Sequence, residues 1–221
     1  MANYKNIIQF IHKQEGGLGS TPKDSASKNP SPCGKGKDGF PYHTNKGITW
    51  TTFTNLAPKL GYSATCDNFI KMPSSIWDKI YKYAFWDVMD GDIIKNQAIA
   101  NTFVEFAWGS GFAGAEKSLK KFFKQYYNKD FNNIHEMSSF VNQLYSQGQT
   151  PKLFDNLNEH RKKFFISLNQ PTFIKGWLNR LNAFYILNKP YALTTTTKVA
   201  SSGLLLIILG FAIYKKYYAR S

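Results

Sequence analysis

Arginine is almost missing from this 221-residue chain, where Arg161, Arg180 and Arg220 stand alone among 28 basic residues. Bidentate recognition of phosphates and base edges favours arginine, and no nucleic-acid-binding motif accompanies the lysines. Nucleic acid is therefore set aside as a partner. Acidic residues are also few, 14 against 28 basic, which leaves a formal charge of +14. Such an excess calls for an anionic partner, and the remaining candidates are an anionic membrane surface or a bacterial wall with its carboxylates and phosphate-bearing polymers. Cysteine is limited to Cys33 and Cys66, and neither sits in a metal-type pair. They are either a bridge that pins the segment around Cys33 or two free thiols. His12, His43, His135 and His160 are scattered without ligand spacing, so no metal and no organic cofactor is expected. The N-terminus lacks the apolar run of a signal peptide, and no convincing strand is found outside the region before residue 50.

What is present points to a helical fold. Hydrophobic residues make up 43% and aromatics 16%, which excludes disorder as the main state. Tyr4, Ile7, Ile8 and Ile11 fall on one helical face, and a helix there should close at Gly16-Gly17 through a left-handed glycine. Trp50, Phe53, Ala57 and Leu60 predict a second helix, and Ser75 is read as the N-cap of a third, with Ile76, Ile80, Tyr83 and Ala84 inside. Ile99, Phe103, Phe106 and Ala107 mark a fourth that ends at Gly109-Ser110-Gly111, and Leu119, Phe122, Phe123 and Tyr126 resume the pattern. A soft boundary falls at the polar stretch Asn128 to Asn133. Two amphipathic helices follow, Pro151 to Leu168 and Pro171 to Leu187, each opening with a proline tolerated in the first turn.

The chemistry concentrates between the first two helices. Glu15 ends the first helix, where unpaired carbonyls and an apolar face both favour a protonated carboxyl, the form a general acid needs. Asp38 and Thr44 lie six residues apart on the connection. A carboxylate and a hydroxyl there could hold a water opposite Glu15, the arrangement of inverting glycoside hydrolysis. Asp24 competes with Asp38 for that place.

Glu15-Gly16-Gly17 together with Thr44-Asn45-Lys46-Gly47-Ile48-Thr49 resembles the N-acetylmuramidases of glycoside hydrolase family 108, within the wider lysozyme-like group. The resemblance runs over about residues 5 to 188. It implies a mainly α, lysozyme-like domain with a small irregular or β active-site lobe, and a substrate that is bacterial peptidoglycan. It gives Glu15 the role of acid, Asp38 that of base on water, and Thr44 that of holding this water. The chain departs from the family pattern in carrying Asp38-Gly39-Phe40-Pro41-Tyr42-His43 where a short Asp-Pro-Gly-Gly stretch is usual, after an insertion rich in Ser, Pro, Gly and Lys. Tyr42, His43, Asn45, Trp50 and Trp86 are the expected sugar contacts, although the Tyr81 to Trp86 stretch is first of all core. Glu105 stands where the family has an aspartate and is read as support for the fold or the groove wall. Gly176-Trp177-Leu178-Asn179-Arg180 is similar to the family's C-terminal segment, described as a peptidoglycan-binding region.

The expected organisation is a catalytic domain over 1–128, a helical C-terminal region over 129–189, a linker over 190–198, a transmembrane helix over 199–214 and a basic tail over 215–221. Val199 to Tyr214 has no charge across 16 residues and is followed by Lys215, Lys216 and Arg220, which suits one short membrane span with an interfacial end. These features describe a phage-type lysin held in a viral or host inner membrane and acting on the periplasmic wall, in lysis or in penetration. A lytic transglycosylase, with a similar glutamate and no activated water, is the nearest alternative, and a silent wall-binding or virion protein is the alternative from another class.

Overall fold

The structure, a computed structural model, describes residues 1–194. Residues 195–221 lie outside it, and with them the expected span 199–214, residues 195–198 of the linker and the tail. Among the described residues no helix is long and apolar enough to cross a membrane.

Eight α-helices and one small sheet make up the described chain. Helix α1 (Lys5–Gln14) buries Ile7, Phe10 and Ile11, the face its spacing predicts. It does not end as expected. Glu15 takes an extended conformation, φ −90° and ψ 138°, and neither Gly16 nor Gly17 has a positive φ. The chain must enter β1 (Leu18–Gly19) almost at once, so it straightens at Glu15 and needs no left-handed glycine. Strand β1 pairs antiparallel with β2 (Thr44–Asn45), which pairs with β3 (Ile48–Thr49). The β2–β3 turn has Lys46 at φ 45° and Gly47 at φ 77°, the pair of positive values that matches the twist of a two-residue hairpin. Lys46 Nζ donates to Met72 O at 2.9 Å and Trp77 Nε1 donates to Lys46 O at 2.9 Å, so the hairpin is pinned to the helices behind it.

Thr49 caps α2 (Trp50–Leu56) by accepting from Thr52 N. Helix α3 (Cys66–Lys71) follows, and Cys33 and Cys66 form a disulfide that ties the loop between β1 and β2 to its start. Helix α4 (Ser74–Tyr81) begins one residue before the expected cap, with Pro73 at its N-cap position. Its buried Trp77 and Tyr81 stack at 5.0 Å, and both rings meet Trp108. Helix α5 (Gln97–Tyr127) is broken at Gly111, φ 70° and ψ 165°, as the glycine cluster there predicts.

Three helices, not two, follow the polar turn. Helix α6 (Ile134–Ser146) was missed by the sequence reading, although Asn133 accepts from Glu136 N as a regular cap. Helices α7 (Thr150–Ser167) and α8 (Pro171–Ala192) pack on each other and on α5. Helix α8 continues through Pro190, so residues 190–192 are helical and do not begin a linker. Ala192 is fully buried and Tyr191 O accepts from Asn96 Nδ2, contacts that offset the lost N–H of the proline. The apolar core is continuous from Ala2 to Ala192, with Phe10 of α1 against Phe184 of α8 at 5.7 Å. This arrangement fits a lysozyme-like fold.

Candidate active site

Glu15 opens onto a cavity of about 470 Å³ whose walls come from both halves of the chain. Asp24, Thr44, Gly47 and Thr49 supply one side, and Glu105, Trp108, Arg161, Trp177 and Arg180 supply much of the other. Two donors end on the same oxygen of Glu15: Trp108 Nε1 at 2.7 Å and Arg180 Nη1 at 2.7 Å, both to Oε1. Oε2 faces Gly47 instead. A β-carbon on Gly47 would stand 2.7 Å from that oxygen and 2.4 Å from Trp108 Cζ2. The glycine is thus required twice, by its positive φ and by the approach of the carboxyl and the indole.

Behind Glu15 lies a buried relay of charge. Arg180 Nε donates to Glu105 Oε1 at 2.8 Å, and Glu105 is only 2% exposed. Arg161 stands beyond it, 3.9 Å from the same oxygen, with its guanidinium over the Phe106 ring. Burial pulls Arg161 down to about 10, with Glu105 opposing and Arg180 adding to that shift. For Arg180 burial acts in the same lowering sense, but the charge and hydrogen bonds of Glu105, then Glu15, outweigh it and hold the guanidinium above its ordinary value. Burial and the nearby Glu105 push the Tyr81 phenol well up. Arg180 is therefore a fixed cation shared by two carboxyl groups. Glu105, 2% exposed and beside both arginines, is part of the wall of the site.

Thr44 lines the cavity with a hydroxyl that is already oriented. His43 Nε2 lies 3.1 Å from Thr21 O, which can only accept, so Nε2 carries the hydrogen. In the neutral ring the other nitrogen then accepts from Thr44 Oγ1 at 2.8 Å. That contact uses the hydroxyl hydrogen and leaves the lone pairs of Oγ1 to receive another donor.

The remaining expected residues are placed elsewhere. Asp38 does not line the cavity. Its carboxylate accepts from Ser20 Oγ at 3.0 Å and from Phe40 N at 3.2 Å within an exposed loop. Asp24 does line it, as the N-cap of a short 3₁₀ turn that accepts from Ala26 N. His43 and Asn45 are buried, 1% and 2% exposed, and both are engaged internally. Asn45 Nδ2 donates to Phe69 O and Ile70 O, which locks β2 to α3. Trp86 is fully buried with its N–H given to Asp92 at 2.7 Å, so it has no face for a sugar. Trp50 packs on Phe53 and Phe69, and Tyr42 packs against the core; neither lines the cavity. The aromatic surfaces that do line it are Trp108, Phe164, Phe165 and Trp177. Trp108 and Arg180 were not anticipated as site residues. The available signal was an arginine in a lysine-rich chain and a lone carboxylate, Glu105, within the apolar run from Phe103 to Trp108.

Among the described residues no group of three or more His, Cys, Asp or Glu side chains could hold a metal ion. A carboxyl held through one oxygen, at the mouth of a partly aromatic cleft on a mainly helical fold, is the apparatus of a glycosidase. Residues 8–111 of the chain match the family described as Glycosyl hydrolase 108, a glycoside hydrolase domain. Family 108 is the one the Glu15 and Thr44 segments resemble, and its substrate is peptidoglycan. Among solved structures, that of SagA from Brucella abortus is similar, with a TM-score of 0.57 at 20% identity over 89% of this chain and 97% of that one. The likeness at that identity concerns the fold, and it extends well past residue 111 into the helices that supply Arg180. No curated protein matches the chain.

Proposed function

We propose that this enzyme is an N-acetylmuramidase that hydrolyses the β-1,4 bond between N-acetylmuramic acid and N-acetylglucosamine. The observation that carries the reading is the asymmetric hold on Glu15: both donors end on Oε1, so a proton on Oε2 is compatible with them and faces the hairpin side of the cleft. That proton passes to the glycosidic oxygen as the bond to the anomeric carbon breaks. A water that donates to Thr44 Oγ1 attacks the opposite face of the sugar and loses its proton to a carboxylate. Asp24 is favoured for that carboxylate because it lines the cavity, whereas Asp38 is committed to Ser20 and Phe40 N. The products are two shorter glycans, one with a new reducing end.

Mass spectrometry of fragments released from purified peptidoglycan tests the reaction. Reducing N-acetylmuramic acid ends support it; anhydro ends would assign a lytic transglycosylase, and reducing N-acetylglucosamine ends a glucosaminidase. Asp24→Asn should lower turnover about 100-fold or more, while Asp38→Asn should act weakly through its loop. The reverse result would restore Asp38 as the base.

The uncharged sequence from Val199 to Tyr214, preceded by threonines and followed by Lys215, Lys216 and Arg220, supports a membrane tether in a viral or host inner membrane. Such a tether would keep the enzyme at high effective concentration near its wall substrate, for phage lysis or penetration. Full-length protein should sediment with membranes and resist a high-salt wash, since salt screens charge but not apolar insertion. Release by salt alone would leave only electrostatic attachment.

A further inference from the structure

Beside the catalytic cleft lies a second cavity of about 510 Å³, in the groove between the part of α5 beyond Gly111 and α7. Ser110 and Phe164 line both cavities, so the two are neighbours with a common wall. Lys117 and Lys121 on α5 and Lys163 on α7 stand around the second cavity, with the buried His160 against Ser118 at 3.1 Å between them. The lysines are largely uncompensated. Lys117 and Lys121 form no salt bridge among the described residues, and Lys163 has only Glu159 at 3.9 Å, where both partners are mostly exposed. Burial first, then Lys121 and Lys163, push the His160 imidazole down, a sign that the local field is already positive. The neighbouring lysines Lys120 and Lys124, by contrast, are matched with Glu116 and Asp130. The excess positive charge of this helix is thus concentrated on the groove.

We propose that this basic groove is a subsite for the peptide stem of peptidoglycan, whose carboxylates are received by Lys117, Lys121 and Lys163. The proposal rests on the muramidase reading for its choice of ligand. Every peptide stem branches from the lactyl group of a muramic acid, so a glycan lying along the cleft brings a chain with several carboxylates to an adjoining groove. Spacing favours carboxylates on a peptide over one compact phosphate: side chains at i and i+4 on a helix are about 5–6 Å apart at their β-carbons, and Lys163 faces them from a different helix. The ligand is then read as separated charges along a chain.

The test compares wild type with the double variant Lys117→Gln, Lys121→Gln, using stem peptide freed from peptidoglycan by an amidase. Calorimetry should show the dissociation constant rising about tenfold in the variant, since an exposed lysine–carboxylate contact is worth up to about fivefold. The ratio of turnover on peptide-bearing strands to turnover on amidase-stripped strands should fall by a similar factor. The control Lys59→Gln, Lys152→Gln removes equal charge elsewhere and should leave both readouts at wild-type values. Equal peptide binding by wild type and groove variant, or no binding by wild type, overturns the proposal, as does full displacement of the peptide by an equal concentration of inorganic phosphate. Wild-type protein that binds the peptide through the groove yet cuts neither strand would refute the muramidase reading while upholding the subsite.

Discussion

The two walls of the cleft are built in opposite ways. On the hairpin side, residues 15–49 contribute strands of two residues each, exposed loops and a disulfide clamp. On the helical side, α5, α7 and α8 contribute a buried ion network in which Glu105 is 2% and Arg161 6% exposed. The first wall holds the groups proposed to exchange protons and meets solvent, while the second holds a buried network of two arginines around one carboxylate. Replacing a carboxyl of the first wall that lines the cleft should therefore cost turnover at little cost in stability, and damage to the ion network of the second should cost both.

The sharpest break is Glu15→Gln, which should lower turnover on peptidoglycan about 100-fold to 10,000-fold while the melting temperature stays near wild type. A large fall in melting temperature would move Glu15 to the structural side of the comparison. Arg180→Ala should unfold in urea with about 3 kcal/mol less stability, because it strands the buried Glu105 with only the distant Arg161, and it should also slow turnover through Glu15. A variant that loses activity with unchanged stability would show that the helical wall does not depend on its ion network. Reduction of the Cys33–Cys66 bond releases a loop of sequence separation 33, for which chain entropy alone gives up to about 3–4 kcal/mol, commonly less in practice. Hydrogen exchange should rise in residues 18–43 and stay slow in α5; uniform loosening would erase the distinction between the walls. The mildest effect is expected from Gly47→Ala, about 1–3 kcal/mol, with slower turnover as the Trp108 ring or the Glu15 carboxyl gives way.

The hairpin wall was legible in the sequence because its signals are local. Glu15-Gly16-Gly17 and Thr44 to Thr49 are contiguous, and Lys46-Gly47 is the turn that a two-residue hairpin needs. The conformation of Glu15 was not legible, since pairing of Leu18 with Asn45 overrides the glycine signal. Trp86 and Asn45 were expected at the sugar because both types suit glycan contact. Which way a side chain points, however, depends on partners such as Asp92 and the carbonyls of α3. The choice between Asp24 and Asp38 turned on spacing, which does not reveal that Ser20 and Phe40 N occupy Asp38. The helical wall was hidden for a different reason: Arg180 meets Glu15 across 165 residues, and no periodicity records that meeting. Helix α6 did carry readable signs, with Ile134, Met137, Val141 and Leu144 on one face and Asn133 as cap.

That separation also sets an order on events during synthesis. The ribosome delivers Glu15, Asp24 and Thr44 early, but the guanidinium that holds Oε1 arrives only after some four fifths of the chain has been made. In a polypeptide that ends before Arg180 the Glu15 carboxyl lacks one of its two anchors and keeps at most Trp108 Nε1. The ion pair between the end of the first helix and the last described one thus makes synthesis through Arg180 a condition of a finished site.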